Sequence, residues 1–313
     1  MRGKIVLLYE SERGKALCDA ASYVLTQIAV AFGHTLSMPM RRCDRTAAVT
    51  DDIAGLCDGA ACVLAGESSL QCLPALAEEM GCLCRERELR YTHLIENRAL
   101  MGAAGPLNAV LVQALSGSED SLRSAAVQAY AVSARDSLPI TQVPPSGKLA
   151  DGWKKAMERA DSITAPFHAR ETSLQQMIPD MVYRPSRMGV ILCPPYAGGI
   201  LAEAAAALCG GAGICYDAYL GGECGIYAPL RQESDDVDPF GMLRAVYRML
   251  RDTLKLEREA ACVEAAIRNV LQAGWRTGDI AREGVKSLIA DQIIDLICQQ
   301  IEVAGEWINN NKN

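Results

Sequence analysis

Short apolar runs alternate along the chain with longer stretches in which apolar residues recur at three- or four-residue spacing. The first run, at 5–9, predicts a buried strand, and residues 15–31 follow it with helical spacing. Further strands are predicted at 60–65, 109–115 and 188–193, and further helices at 50–56, 122–134, 200–209, 240–253, 257–272 and 288–303. Strands that alternate with amphipathic helices are typical of an α/β protein with a largely parallel sheet.

The composition fits this architecture and narrows the range of partners. Half of the 313 residues are hydrophobic but only 5% are aromatic, so small and branched side chains fill the core. The formal net charge of −7 argues against the basic face that nucleic-acid binding requires. No apolar run reaches the ~18 residues of a membrane span, and the run at 5–9 is too short for a signal sequence. We expect a cytoplasmic protein that binds neither nucleic acid nor membrane.

The cysteine content is high, with 13 cysteines against only three histidines. Because the chain contains no Cys-x-x-Cys pair, the pattern does not favour a zinc or iron–sulfur site. The odd number and the length of the chain also argue against a secreted disulfide framework. The cysteines are therefore predicted to be small buried hydrophobic residues in a reducing compartment.

Five segments in the second half of the chain occur in a recognisable order. They include Tyr-Ala-Gly-Gly-Ile-Leu-Ala-Glu at 196–203, Gly-Ile-Tyr-Ala-Pro at 225–229 and Ala-Gly-Trp-Arg-Thr-Gly-Asp-Ile-Ala at 273–281, together with the segments at 184–192 and 206–214. In order and spacing they resemble the isocitrate/isopropylmalate dehydrogenase family. Members of that family carry Gly-Asp-Ile-Leu-Ser-Asp, Gly-Leu-Tyr-Glu-Pro and Gly-Tyr-Arg-Thr-Gly-Asp-Leu at the corresponding places.

The resemblance implies an α/β fold of the isopropylmalate dehydrogenase-like type, with two α/β/α lobes and an interdomain cleft. Residues 1–98 and 211–313 would form the lobe that holds the cofactor in the family. Residues 99–210 would form the lobe for substrate and dimerisation. Family members are typically dimers that share residues across the subunit boundary, so the resemblance also implies a homodimer or a complex with an intact relative.

The family's metal ligands are altered in this chain. The family oxidises a 2-hydroxy acid with NAD or NADP and decarboxylates the product, with a divalent cation held by three aspartates. At the matching positions this sequence has Gln175, Gly199 and Glu203. One amide, one missing side chain and one carboxylate predict that the family's Mg²⁺ or Mn²⁺ site is lost.

The groups that move protons and bind substrate in the family are altered as well. Pro145 occupies the position of the catalytic lysine, and Lys148 follows three residues later. Gln113 replaces an arginine that binds the substrate carboxylate, and the loop that carries the family's tyrosine acid is shortened. The resemblance therefore implies that no catalytic residue of the family is retained.

The cofactor loop keeps three weak candidates for nucleotide contacts. Asp236 aligns with the aspartate that contacts the ribose, and Arg276 and Asp279 lie in the turn near the adenosine end in relatives. The acidic run at 233–236 would repel a pyrophosphate. A structural role for the turn at Arg276 is the alternative interpretation.

These substitutions favour a diverged family member that is not an active dehydrogenase and needs no cofactor, with a binding, regulatory or partner-subunit role. Two alternatives stay open. The first is an enzyme with altered chemistry in the same cleft that uses Glu203, Tyr196, Lys148 or Asp217. The second is an NAD(P)- and Mg²⁺- or Mn²⁺-dependent oxidoreductase of the family acting on a 2-hydroxy acid.

Overall fold

A computed structural model describes residues 1–89, 107–163, 169–208, 212–222, 224–230, 237–278, 280–281 and 287–310. Its strands are β1 Arg2–Tyr9, β2 Thr35–Ser37, β3 Met40–Arg42, β4 Cys62–Ala65, β5 Cys84–Leu89, β6 Ala109–Ala114, β7 Ile140–Gln142, β8 Arg170–Glu171, β9 Gly189–Cys193, β10 Tyr216–Leu220 and β11 Gly225–Pro229. Its helices are α1 Glu12–Phe32, α2 Asp51–Cys57, α3 Leu73–Glu79, α4 Glu119–Asp136, α5 Ala150–Ile163, α6 Leu174–Tyr183, α7 Pro195–Leu208, α8 Phe240–Asp252, α9 Glu257–Gln272 and α10 Ala290–Asn310. The alternation of strands and helices confirms the predicted α/β class.

The chain folds into two compact units. Unit 1 contains Met1–Met80, Ala212–Ala218 and Glu223–Asn313, and unit 2 contains Gly81–Gly211 and Tyr219–Gly222. Strand β10 is divided between them. The predicted boundary at 98/99 falls outside the described residues. Residues 81–89, which the sequence had assigned to the first lobe, belong to unit 2 because β5 in this segment pairs with β6.

Unit 1 is built on parallel strands. Strand β1 pairs with β2, β3 and β4, and β4 pairs with β11, all in parallel register. Residues 5–8 of β1 and 62–65 of β4 have no exposed surface, which explains why both appear in the sequence as continuous apolar runs. Helix α1 begins at the cap residue Ser11, whose hydroxyl accepts a hydrogen bond from the Gly14 amide at 2.9 Å.

Helix α8 is the central helix of unit 1. Every residue from Phe240 to Leu250 is buried, including two arginines one turn apart. Arg248 pairs with Asp252 at 2.6 Å, and the Arg244 guanidinium lies 5.4 Å from the centre of the Tyr216 ring. The buried charges are therefore matched by a carboxylate and an aromatic face, as burial of a cation requires.

Unit 2 combines one antiparallel strand with parallel strands. Its strands are ordered β5-β6-β9-β7-β8, with β5 and β6 antiparallel and the other pairs parallel. On β5, Glu86 accepts a hydrogen bond from Gln128 of α4, while the next residue, Arg87, contacts Glu203 of α7. Since successive strand residues point to opposite faces, α4 and α7 cover opposite faces of this sheet.

Among the described residues, no helix combines the length and the apolar character needed to cross a bilayer.

Candidate functional site

Several positions that matter for the family's chemistry follow strands at one edge of unit 2. Strands β6, β9, β7 and β8 run parallel, so their carboxyl ends meet at a single edge. Gln113 lies at the end of β6, and α7 begins two residues after β9. Pro145 follows β7, and Gln175 lies in the first turn of α6 after β8. The carboxyl edge of such a sheet is where α/β proteins bind ligands.

Helix α7 carries the two remaining aligned metal positions, Gly199 and Glu203, and both are exposed to solvent. Tyr196, Gly199 and Glu203 are exposed and recur at helical spacing, so they share one face. A methyl group added to Gly199 would have no neighbour within 4 Å. The face therefore has room for an acidic side chain at 199, but the sequence provides none.

Glu203 is the one carboxylate among the three aligned metal positions, and it faces a cation. Its Oε1 lies 3.7 Å from Nη1 of Arg87, whose side chain is only 5% exposed, whereas that of Glu203 is 76% exposed. The ion pair places a buried positive charge directly beside the carboxylate. A divalent cation bound at Glu203 would be repelled by this guanidinium.

Gln113 organises the beginning of α7. Its side-chain amide donates to the Pro195 carbonyl at 2.6 Å, and its carbonyl oxygen accepts from Arg85 on the neighbouring strand. A Cβ at Gly198 would lie 2.1 Å from Cδ of Gln113. Gln113, at the position predicted to correspond to the family's substrate arginine, therefore has a positioning role that requires glycine at 198.

The residues present do not fit a hard divalent cation. Gln175 is exposed and neutral, Gly199 has no side chain, and Glu203 is engaged with Arg87. Within the described residues, no group of three or more His, Cys, Asp or Glu side chains could hold a metal ion. Mg²⁺ and Mn²⁺ need several oxygen ligands, usually carboxylates, and these three positions offer a single carboxylate.

The candidate positions for proton transfer differ in their burial and in whether they carry a titratable group. Pro145 is buried and carries no titratable group, and Lys148 is exposed on a short 3₁₀ turn. Tyr196 is 53% exposed, whereas Asp217 is buried in β10. The structure thus places Tyr196 and Glu203 on one helical face and shows no contact between either of them and Lys148 in the part of the chain that it describes.

Arg276 has a local structural role. Its Nη1 donates hydrogen bonds to the carbonyls of Leu271 and Trp275, at 2.7 and 2.8 Å, and so satisfies the carboxyl end of α9. Partial burial lowers the pKa of the Arg276 guanidinium. Asp236 and Asp279 lie outside the described residues, so nucleotide contacts by these three residues stay a prediction.

The sequence analysis did not identify Arg85 and Arg87 as partners of Gln113 and Glu203. The signal was present, because Arg-Glu-Arg-Glu at 85–88 alternates in charge with the two-residue period of a strand. A run of four charged residues is usually a solvated surface, whereas Glu86, Arg87 and Glu88 are each less than 5% exposed. Their burial marks β5 as an interior strand with a charged lining on both faces.

Comparisons with known proteins agree on one family. Residues 123–297 match the family described as isocitrate/isopropylmalate dehydrogenase. The chain is 30% identical over 127 residues to the 3-isopropylmalate dehydrogenase of Carboxydothermus hydrogenoformans, covering 39% of this chain and 34% of that protein. It is 24% identical over 201 residues to the Helicobacter hepaticus enzyme of the same name, covering 61% and 56%. These alignments span from about a third to a little over half of each relative's length.

Solved structures share the fold at low sequence identity. The isocitrate dehydrogenase of Methylococcus capsulatus superimposes with a TM-score of 0.76 at 16% identity, covering 96% of this chain and 99% of that one. The TT0538 protein of Thermus thermophilus gives 0.79, also at 16% identity, covering 96% and 68%. At this identity the likeness establishes the isopropylmalate dehydrogenase-like fold alone.

These matches correct one expectation from the sequence. The prediction that no cofactor is needed is contradicted, because the matched family and both curated relatives are dehydrogenases, a class that depends on NAD(P) and metal. The expectation had rested on the residues at the aligned metal and proton-transfer positions and on the acidic run at 233–236.

Proposed function

Since this chain belongs to the isocitrate/isopropylmalate dehydrogenase family, we propose that it is a diverged member with a binding, regulatory or partner-subunit role and is not an active β-decarboxylating dehydrogenase. The observation that carries the proposal is the contact of Glu203 with the buried Arg87. The last carboxylate of the aligned metal set is paired with a protein cation that would compete with a divalent metal for it. Decarboxylation of a β-keto acid needs a Lewis acid at the place where the enolate charge develops.

The buried Pro145 supports the same proposal. A side chain that transfers protons must reach the substrate and titrate near the working pH. Proline does neither, and Lys148 is exposed in the next turn. Loss of dehydrogenase turnover does not imply loss of nucleotide binding. Only turnover is proposed to be lost.

A second candidate function is favoured by the comparisons. The matched relatives are named dehydrogenases, and the family match at 123–297 includes positions 145, 175, 199 and 203. On this alternative the chain is an NAD(P)-dependent oxidoreductase acting on a 2-hydroxy acid, with metal ligands other than the aligned set.

A turnover assay on the full chain separates the two. Isopropylmalate or isocitrate is offered with NAD or NADP and with Mn²⁺ or Mg²⁺, and reduced nicotinamide is followed by absorbance. We expect no metal-dependent turnover above the enzyme-free blank. Sustained turnover that chelation abolishes would overturn the proposal and establish the alternative.

Thermal unfolding provides the matched control. If Glu203 does not bind metal, Mn²⁺ shifts the midpoint of wild type and Glu203→Gln equally, since only ligands of the folded state stabilise it. Glu78→Gln, at an exposed carboxylate on α3, controls for loss of one charge. A Mn²⁺ shift that is lost in Glu203→Gln alone contradicts the proposal. In a separate series, NAD or NADP is added instead of Mn²⁺, and a shift of the unfolding midpoint reports nucleotide binding.

The partner role rests on an apolar surface of unit 2. Tyr196 and Ile200 on α7 are 53% and 54% exposed, and Val182 and Tyr183 at the end of α6 are 41% and 75% exposed. Helices α6 and α7 pack against each other. Exposed apolar residues on two helices that pack together suit an association surface. We propose that this surface joins two copies of the chain or pairs it with an intact relative.

A cytoplasmic location is part of the same proposal. All twelve described cysteines are free thiols, and eleven of them are buried. Free thiols are typical of a reducing compartment.

A further inference from the structure

The exposed face of α7 carries a single charge. The exposed residues of this helix are Tyr196, Gly199, Ile200, Glu203 and Ala207. Glu203 is the one charged residue among the 14 residues of α7. The solvent-facing side of a surface helix normally carries several charged or polar residues. An exposed face with one charge therefore suits burial against another surface.

Glu203 lies within the row of exposed apolar residues. Tyr196, Ile200, Glu203 and Ala207 follow one another at spacings of four, three and four residues, which places them in one row along the helix. The neighbours of Glu203 in this row are Ile200 and Ala207, so a surface that covers both must also remove water from Glu203. A carboxylate that loses its water without a countercharge is strongly destabilising.

Arg87 provides this countercharge from inside unit 2. Its Nη1 lies 3.7 Å from Oε1 of Glu203, and its side chain is 5% exposed, against 76% for Glu203. Since Arg87 is buried on β5, it adds no exposed charge to the face of α7. The guanidinium and the carboxylate together carry no net charge.

This charge balance favours a second copy of the chain as the partner. In a two-fold dimer the same surface of each copy meets, so each copy presents its own charge to the other. A lone Glu203 on each face would bring two carboxylates toward each other in a region without water, which is unfavourable. A face whose carboxylate is paired with Arg87 avoids that repulsion.

We propose that Arg87 is the built-in counterion of the α7 face and allows Glu203 to be buried when two copies of the chain associate. The inference rests on the proposed function, because it takes the apolar surface of α6 and α7 as the association surface. It adds the identity of the partner, a second copy, and the ion pair that controls the association.

A double-variant cycle tests the role of the pair. The dimer dissociation constant of the full chain is measured by sedimentation equilibrium. Arg87→Gln should raise it at least about tenfold, because association then buries a carboxylate without its counterion. Adding Glu203→Gln to Arg87→Gln should restore most of the affinity, since no charge of the pair is left. Equal dissociation constants for Arg87→Gln and the double variant would overturn the proposal.

Two further variants separate charge from stability. Cys193→Ala removes a buried side chain of unit 2 without changing the charge, so its dissociation constant should equal that of wild type. A loss of affinity in Cys193→Ala as large as in Arg87→Gln would attribute both to stability and overturn the proposal. Glu203→Lys places a cation at an exposed position beside Arg87 and should also weaken the dimer at least about tenfold. About 1 M NaCl, with a screening length of about 3 Å, should reverse part of this loss.

Failure of this inference can be told apart from failure of the proposed function. A wild-type dimer that Ile200→Asp dissociates but that Arg87→Gln and Glu203→Lys leave intact would retain the association surface and remove the role of Arg87. A wild type that stays monomeric at every concentration would overturn self-association through this surface and the inference together.

Discussion

The carboxylate of Glu203 on α7 lies 3.7 Å from the guanidinium of Arg87 on β5, so an exposed acid and a buried base form one ion pair. The two ends of the pair differ in environment, with 76% of the Glu203 side chain exposed and only 5% of that of Arg87. Water can replace the contact at Glu203 but cannot reach Arg87. The pair is therefore energetically asymmetric.

Substitution at the two ends should reveal this asymmetry. Glu203→Gln should change the free energy of unfolding by at most about 1 kcal/mol, as for exposed ion pairs. Arg87→Gln should cost about 2 kcal/mol or more, because it removes a buried group whose surroundings are arranged for a cation. Urea unfolding measures both. Equal losses in the two variants would show that Arg87 is more solvated than its 5% exposure indicates.

Adjacent glycines on α7 should respond in opposite ways to alanine. Gly198→Ala would place Cβ 2.1 Å from Cδ of Gln113 and should cost about 2 kcal/mol. Gly199→Ala meets no atom within 4 Å and should stabilise the helix by about 0.5–1 kcal/mol. Each variant is the control for the other in urea unfolding. If both stabilise the protein, Gln113 does not lie against α7 in solution.

The apolar surface on α6 and α7 should determine self-association. Wild type is expected at about twice the 33.6 kDa of one chain in light scattering. Ile200→Asp places a charge within the surface and should raise the dimer dissociation constant at least about tenfold. Val303→Asp is the matched control, since Val303 is 65% exposed on α10 of unit 1. Equal effects of the two substitutions would assign the association to another surface.

Buried thiols should make the protein sensitive to alkali. Burial raises the pKa of Cys84 and of Cys193 to about 12. Since the folded-state pKa lies above the unfolded value near 8.5, their contribution to stability is complete below that pH and is lost as pH rises toward 12. Each such thiol reduces the free energy of unfolding by about 1.4 kcal/mol per pH unit in this window.

The unfolding midpoint should therefore be flat from about pH 7 to 8 and fall steeply above about pH 9. Cys193→Ala should lose stability at neutral pH but show a shallower decline in alkali. An unchanged slope in this variant would mean that the Cys193 thiol ionises as readily in the folded protein as in the unfolded chain.

Among the described residues, seven of the ten helices and four of the eleven strands were predicted from the sequence, and one missed strand, β5, has a clear physical cause. The predicted helix at 257–272 coincides with α9, and strand 109–115 differs from β6 by one residue. Strand β5 was missed because Arg85, Glu86, Arg87 and Glu88 give it no apolar period. It is stable in the interior because α4 and α7 supply Gln128 and Glu203 as partners on its two faces.

The candidate site also has features that the sequence could predict and features that it could not. The identities at 145, 175, 199 and 203 could be read from the sequence, and the expected departure from the family's ligand set followed from the resemblance. The positioning role of Gln113 could not, because it depends on its hydrogen bonds to Arg85 and to the Pro195 carbonyl. An amide at that position gives no indication of which groups surround it.

The sequence by itself determined the alternation of strands and helices, the family, and the residues at each aligned position, because periodicity and motif order are local properties of the chain. Tertiary structure alone decided that Arg87 faces Glu203 and that Gly198 lies against Gln113. Each of these contacts joins segments that are distant in the chain. Their approach depends on strand order and helix packing, which bring the segments together only when the whole unit has folded.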